Sequence, residues 1–436
     1  MTHGGASRRR LLFISPVMPD TGGNGLAMRA GNLVEALGTH WDLHLLVLAV
    51  GGPEGRSLPP ALDAFVAAWT ELPYGEMIDP AYIRFARQQP GMDQLAALEA
   101  LGRPMAVAYR PEAAARAAVA AFPDTVFDTV FVLRLYMSAV AAGFAQMSPR
   151  PNMLLDADDD DVTASQRFAE VRRKAGDAYG ASMELATARH HAAWEDRWLP
   201  RFDMVFTASP RDTARMAERH PDILFDTLPN VVRRPPELTG PNPVPDTAGA
   251  SAPFLLIGNL TYLPNVEGAR FFCTEVLPCL RGLAPELARV TIAGSSPVPA
   301  VTVLDQLEGV TILASPPDLA PLYRSARVTI VPLRAGGGTR IKILEAFAWG
   351  VPVVSTTLGA EGLAVEHERH LLIADTPDEF AAACLRLAKD ERLHRRIADS
   401  ARQLQLSEYS LEALTSRFAP ASGSPDPAPE NSLREA

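Results

Sequence analysis

Along the chain, short apolar runs bounded by turn-forming residues alternate with stretches whose apolar residues recur at helical spacing. This is the pattern of an α/β protein with parallel sheets. A strand covered on both faces reads as an unbroken apolar run, and the crossover that follows reads as an amphipathic helix. In the first half the pattern predicts strands at 11–15, 42–50, 129–135, 152–157 and 203–209. Residues 25–38 place Leu26, Ala30, Leu33 and Leu37 on one stripe and read as the first crossover helix. A long polar, helix-favouring stretch covers 163–200 and ends at Pro200. A second series predicts strands at 254–258, 289–294, 309–315, 327–332, 352–356 and 371–374, with helices between them.

Between the two series, residues 235–252 are rich in Pro, Gly and small polar residues and have no apolar period, so they read as a linker. The expected organisation is a first Rossmann-like domain over 1–234 and a second over 253–405. A helical segment at 406–417 is expected to pack back on the first domain, followed by a disordered tail at 418–436. Two doubly wound α/β domains facing each other across a cleft are the expected architecture.

Composition narrows the function classes. With 41 Lys and Arg against 51 Asp and Glu, the formal net charge is -10, which argues against a general nucleic-acid binder and leaves room for a local basic pocket. The cysteines, Cys273, Cys279 and Cys384, contain no CxxC pair and suggest a reducing compartment rather than a disulfide framework or zinc site. The apolar run after the "RRR" of Arg8–Arg10 is shorter than the ~7–15 residues of a signal-peptide core. No segment reaches the ~18 apolar residues of a membrane span. The cytoplasm is the expected location.

The segment from Leu333 to Thr357, LRAGGGTRIKILEAFAWGVPVVSTT, carries the most chemistry. Gly336, Gly337 and Gly338 fall between a strand and a helix expected to start near Thr339, where open α/β sheets bind ligands. Bare backbone N–H groups can approach an anion there, and the helix dipole adds partial positive charge. Arg340 and Lys342, expected in the first turn, oppose that dipole, and a bound diphosphate would resolve the conflict. The alternative is a tight turn followed by two solvated cations. Glu345 is three residues beyond Lys342 on the same helix face. It can accept hydrogen bonds from a ribose diol or simply pair with Lys342; Ile341, Leu344 and Ala348 are expected to carry the core stripe. Near the start, Gly22, Gly23, Asn24 and Gly25 form a second glycine-rich loop, ahead of a helix bearing Arg29. It lacks the GK[ST] ending of a phosphate-binding Walker loop. The two loops could together hold a phosphate-bearing ligand.

With these residues in view, the chain resembles the GT-B-fold glycosyltransferases of family 4, the "group 1" type. The resemblance rests on residues 336–363, 255–272, 202–212 with 228–232, and 16–37, and spans roughly 11–410. It implies transfer of a sugar from a nucleotide-diphosphate donor to a sugar-containing acceptor, with retention and without a bound metal or other cofactor. Arg340 and Lys342 would neutralise the donor diphosphate, and Glu345 would hold the ribose as the second glutamate of the family's E-x7-E motif does. Gly337 stands where that motif has its first glutamate, so the backbone of 336–338 would hold the donor sugar instead. Gly258 and Asn259 would approach the phosphates, in a loop with no Arg or Lys before Arg270. Gly359, Ala360 and Glu361 would line the donor side.

The acidic run at 156–162 contains a D-x-D pattern but neither the glycine nor the terminal glutamate of an EF-hand. It reads mostly as a solvated acidic loop, with Asp156 or Asp158 as candidates for the acceptor side; Arg134 and Tyr136, just past the strand 129–135, could touch an acceptor or only cap the sheet. His190 and His191 are not at metal-ligand spacing. Two rival functions share the expected architecture: a nucleotide-sugar epimerase, and a non-catalytic sugar-nucleotide-binding protein. A lipid-linked acceptor would bring the protein to a membrane surface, although no basic amphipathic helix announces it.

Overall fold

The computed structural model describes residues 8–23, 25–50, 53–235, 252–336 and 340–419. It divides into two compact units, Met1–Pro229 with Leu411–Ala436, and Asn230–Ser410. Residues 236–251 of the expected linker and 420–436 of the expected tail lie outside the described residues.

The first unit is built on a seven-stranded sheet, β1 (Arg10–Ser15), β2 (Asp42–Val47), β3 (Ala68–Glu71), β4 (Thr129–Leu133), β5 (Asn152–Asp158), β6 (Met204–Thr207) and β7 (Phe225–Thr227). All neighbours are parallel, in the order β3-β2-β1-β4-β5-β6-β7. Residues 11–15 of β1 and all of β4 are buried, as helices on both faces require of central strands. Phe131 of β4 stacks on Phe206 of β6 at 6.0 Å and tilts against Phe13 of β1 at 5.8 Å, tying the middle of the sheet together.

Two strands escaped the sequence pattern. β3 reads AWTE and β7 reads FDT; both are edge strands, neither is fully buried, and so neither needs an apolar run. The polar, helix-favouring stretch at 163–200 holds two helices, Asp161–Lys174 and Ala178–Trp198. Gly176, at φ +81°, breaks them, and Asp177 caps the second by accepting from the Gly180 N–H. In the helix Gly25–Gly38, Leu26 is only partly buried, and the core side is carried by Ala27, Ala30, Leu33, Val34 and Leu37.

The C-terminal segment completes this unit. His40 lies 3.3 Å from the Thr415 carbonyl, Arg417 donates to the Thr227 carbonyl at 2.8 Å, and Phe418 meets Phe131 edge-on at 6.3 Å.

The second unit has a six-stranded parallel sheet, β8 (Phe254–Ile257), β9 (Val290–Gly294), β10 (Val310–Ala314), β11 (Val328–Val331), β12 (Val353–Ser355) and β13 (Leu372–Ile373), ordered β10-β9-β8-β11-β12-β13. One face packs against an aromatic group, Phe254, Phe271, Phe272 and Phe380, in edge-on contacts of 6.1–6.4 Å. On the other face, Ile343, Leu344 and Phe347 of the helix Ile341–Ala348 join Leu255, Ile257, Val331 and Val353. No helix among the described residues is long and apolar enough to cross a membrane.

Gly294, at the end of β9, lies against the end of β8, where an added methyl would collide with the Gly258 carbonyl oxygen and stand 3.1 Å from Leu260. Gly294→Ala should therefore lower unfolding stability by at least about 2 kcal/mol, measured by urea denaturation. Gly282→Ala, where a methyl meets nothing within 4 Å in the helix Leu277–Leu283, should be neutral or stabilising.

Candidate functional site

In the second sheet β8, β11 and β12 are neighbours running the same way, so the turns that follow them share one edge of the sheet. Those turns carry Gly258 and Asn259, then Gly336, then Gly359 to Glu361. Such an edge is where doubly wound sheets bind ligands.

Gly336 has φ +104°, a conformation L side chains rarely adopt. A Cβ at Gly336 would lie 3.3 Å from a terminal nitrogen of Arg340 and 3.0 Å from Pro264, so the Arg340 guanidinium lies back over this turn. Gly337, Gly338 and Thr339 lie outside the described residues. The helix starts at Ile341, so Arg340, expected in the first turn, is instead its non-helical N-cap, 6% exposed, and Lys342 lies in the first turn. The core stripe also differs from expectation: Ile343, Leu344, Ala346, Phe347 and Ala348 are buried, while Ile341 is only partly so. A short helix buried by the sheet on one side and by neighbouring helices on another needs a broader apolar face than a single stripe.

Lys342 turns toward β8. Its Nζ donates to Asn265 Oδ1 at 2.6 Å, and Asn265 Nδ2 donates to the Asn259 carbonyl at 2.8 Å. A Cβ on Gly258 would sit 2.6 Å from the Asn265 Nδ2 and 2.8 Å from the Lys342 Nζ, so only glycine lets the ammonium and amide close on the end of β8. Burial, with the nearby Arg340 charge adding to it, pulls the Lys342 pKa down to about 7, against a smaller opposing pull from Glu345.

Lys342 and Glu345 form no ion pair. Tyr323 instead donates its hydroxyl to Glu345 Oε2 at 3.1 Å, and its ring stacks on Trp349 at 5.8 Å. Burial raises the Glu345 pKa, while the Tyr323 bond and Lys342 oppose that rise. Glu345 is thus held by a fully buried tyrosine, and its second oxygen has no hydrogen-bond partner among the described residues. Gly359 and Ala360 are buried and fixed by Thr356, whose Oγ1 accepts from the Gly359 N–H at 2.9 Å and whose carbonyl accepts from Ala360 at 3.0 Å. Glu361 is partly exposed.

Asn265 and Tyr323 were missed from the sequence. The only signals were a polar residue just inside the helix that follows the Gly258–Asn259 turn, and an aromatic in the short helix ahead of β11.

In the first unit, Arg29 of the helix Gly25–Gly38 makes a forked pair with Asp156 of β5, two bonds of 2.7 Å, and a third bond of 2.9 Å to the Leu228 carbonyl. Asp156 is fully buried and also accepts from the Asp158 N–H at 3.0 Å. This corrects the expectation that Asp156 faces an acceptor: both oxygens are spent holding the helix to the sheet. Arg134, just past β4, and Asp158 have positive φ, +73° and +66°, conformations that cost non-glycine residues about 1–3 kcal/mol each. They meet: Arg134 Nη1 donates to Asp158 at 3.0 Å and to Asp159 at 3.2 Å, and Nη2 donates to Asp161 at 3.0 Å. The expected solvated loop is therefore an ordered charge network. Burial, then the adjacent Asp158, pushes the Asp159 pKa up to about 7.

In the N-terminal loop, Gly22 and Gly23 face open space, Gly25 begins the helix and Asn24 lies outside the described residues. Asp20 Oδ1 accepts from the Thr21 N–H at 2.7 Å and the Gly22 N–H at 3.3 Å, so these two amides are satisfied from within the loop. The loop is pinned because a methyl at Gly31 would collide with the Asp20 backbone. Among the described residues, no group of three or more His, Cys, Asp or Glu side chains is placed to hold a metal ion.

Residues 252–390 match the family model "Glycosyl transferases group 1". A stretch of 145 residues is 28% identical to an uncharacterized 44.6 kDa protein in the cps region of Klebsiella pneumoniae; it covers 31% of this chain and 37% of that relative. The chain therefore matches little more than a third of that curated relative's length. Among solved structures, sucrose-phosphate synthase from Thermosynechococcus elongatus superposes with a TM-score of 0.61 at 16% identity, over 94% of this chain and 97% of that one. An E. coli trehalose-6-phosphate protein bound with UDP-2-fluoro glucose gives 0.60 at 14% identity, over 94% and 98%. Anabaena HepE in complex with UDP and glucose gives 0.58 at 13%, over 94% and 97%. The fold is GT-B, two Rossmann-like units with parallel sheets.

The depressed Lys342 pKa sets a pH dependence. Unfolded, Lys342 keeps its proton up to about 10.5, whereas folded it releases it near 7. The unfolded chain therefore binds more protons between those values, and the stability that burial takes away below pH 7 returns as pH rises. The stability of wild type relative to Lys342→Met should increase from pH 7 to pH 9, by up to about 1.4 kcal/mol per pH unit, in urea titrations at each pH. A flat difference would contradict the buried, cation-crowded setting of this lysine.

Proposed function

We propose that the chain is a glycosyltransferase taking a sugar from a nucleoside-diphosphate donor held by the second unit, with retention of configuration and without a metal. The match of residues 252–390 to the group 1 glycosyl transferases and the GT-B fold support this reading. The observation that carries it is Lys342: a crowded, partly buried ammonium whose one side-chain hydrogen-bond partner among the described residues is the neutral amide of Asn265, set near the Arg340 guanidinium at the glycine turns after β8 and β11. A diphosphate would supply the negative charge that the Asn265 amide does not offer Lys342.

When the bond between the sugar's anomeric carbon and the distal phosphate oxygen breaks, the electron pair leaves with the phosphate and the sugar gains oxocarbenium character. Arg340 and Lys342 are placed to stabilise that growing negative charge, the task a divalent cation performs elsewhere. Glu345, steadied by Tyr323, offers its second oxygen to the ribose hydroxyls. The acceptor, a glycan, a lipid-linked sugar or a small molecule, is assigned to the first unit, where Arg134, Asp158 and Asp159 form the ordered polar group at the ends of β4 and β5. The cps-region relative supports a place in polysaccharide biosynthesis. Its nucleotide-sugar substrate puts the reaction in the cytoplasm, with membrane-surface contact if the acceptor is a lipid.

Ligands that bind the folded state raise its melting temperature. In a thermal-shift screen, one of UDP, GDP, ADP or their sugars should raise the melting temperature of wild type and much less that of Lys342→Ala. With the responding donor and a defined acceptor, Lys342→Ala should lower kcat about 100-fold and raise KM less. Normal turnover in the variant would refute the role of Lys342. An isomerised donor formed without acceptor would identify an epimerase, and binding without transfer, hydrolysis or isomerisation would leave a sugar-nucleotide binder.

A further inference from the structure

Away from the residues discussed above, the first unit contains a cavity of about 320 Å³ lined by Arg103, Arg110, Arg116 and Arg197, with Asp79 and Glu112 as the acidic members. Guanidinium groups outnumber carboxylates there two to one, in a chain whose overall charge is -10. Each arginine is placed differently. Arg103 is committed to the fold, donating to Asp79 and to the Val107 carbonyl at 3.1 Å. Arg110 spends one terminal nitrogen on the Glu76 carbonyl. Arg197 is held by aromatic faces rather than by a carboxylate, 5.9 Å from the ring of Trp194 and 5.5 Å from that of Trp198. Trp194, which forms part of the wall, is anchored by its indole N–H on the Leu135 carbonyl at 3.2 Å. The exposed Arg116 side chain makes no hydrogen bond or ion pair with any described residue.

Stacking on tryptophan fixes a guanidinium in place and leaves its fork of N–H donors free. Arg197, stacked in this way, lines one concavity with the exposed Arg110 and Arg116, and together they offer donors for the several oxygens of a phosphate, which accepts paired hydrogen bonds from a guanidinium. A volume of about 320 Å³ is at the lower end of small-molecule pockets and exceeds a bare phosphate, so it holds the oxyanion together with the group that bears it. From this geometry we infer that the arginine-lined cavity of the first unit binds a phosphate group carried on a larger molecule, through Arg110, Arg116 and Arg197, at a site separate from the donor turns of the second unit. The same chemistry is offered by a soluble phosphorylated sugar and by the headgroup of an anionic lipid.

The test uses the full chain and inorganic pyrophosphate as probe, at constant ionic strength held with sodium chloride, followed by calorimetric titration. Four proteins are compared: wild type, Arg116→Ala, the double variant Arg116→Ala/Arg197→Gln, and Lys342→Met. Arg116→Ala removes a side chain that makes no internal polar contact, so it tests the cavity without disturbing the fold. Co-sedimentation with phosphatidylcholine vesicles, with and without phosphatidylglycerol, is measured on the same proteins. At least a tenfold weakening of pyrophosphate binding in the double variant, with a smaller loss in Arg116→Ala and binding retained in Lys342→Met, supports the cavity and a soluble ligand. Sedimentation that depends on phosphatidylglycerol and is lost in the double variant supports the cavity and a lipid phosphate. Pyrophosphate binding lost only in Lys342→Met, or no dependence on Arg116 and Arg197 in either arm, overturns the inference. The Lys342→Met protein also separates this outcome from failure of the donor-site reading.

Discussion

The second unit depends on one uneven bond: an ammonium, Lys342 Nζ, answered by an amide oxygen, Asn265 Oδ1, at 2.6 Å. A carboxylate in that position would have settled the charge and closed the site. A neutral partner holds the lysine in place yet leaves its charge for another group to satisfy. The surrounding choices follow from this. Gly258 must lack a side chain so that the ammonium and amide can pack on it, Gly294 must lack one so that β9 can lie against the Gly258 carbonyl, and Asn265 must spend its other end on Asn259 to keep its oxygen aimed. Glu345, the nearest carboxylate along the helix, is turned to Tyr323 instead.

The first unit shows the opposite balance. There, Asp156, Asp158, Asp159 and Asp161 crowd around Arg29 and Arg134. Arg29 and Asp156 are buried together and matched by a fork, which makes them part of the frame. Around Arg134 the carboxylates are in excess, and burial together with the adjacent Asp158 pushes the Asp159 pKa up to about 7. The two units therefore carry local charge excesses of opposite sign, one at glycine turns and one at strained non-glycine positions.

Much of the fold was legible because parallel sheets write themselves as repeated apolar runs. The six strands of the second unit and five of the seven in the first lie at the expected positions. β3 and β7 were not legible, since an edge strand leaves one side to solvent and carries no such run. The cations and glycines around residue 340 stood out because bare backbone next to charge is unusual. Asn265 and Tyr323 did not, because a lone amide or phenol on a helix looks the same whether it faces water or holds a lysine or a glutamate. Asp156 was misread for the same reason: an acidic run looks solvated until a buried arginine from a helix more than a hundred residues earlier in the chain is found against it.

The helix Leu411–Arg417 belongs to the first unit, so Asn230–Ser410 is a contiguous insertion within a discontinuous partner. During synthesis the inserted unit has all its strands once residue 410 has emerged. The other must wait for contacts such as Arg417 with Thr227 and Phe418 with Phe131, which are made by residues beyond 410. A ribosome stalled or a chain clipped just short of Leu411 would therefore yield an intact second unit attached to a first unit with an open apolar seam, the kind of species that chaperones and proteases remove.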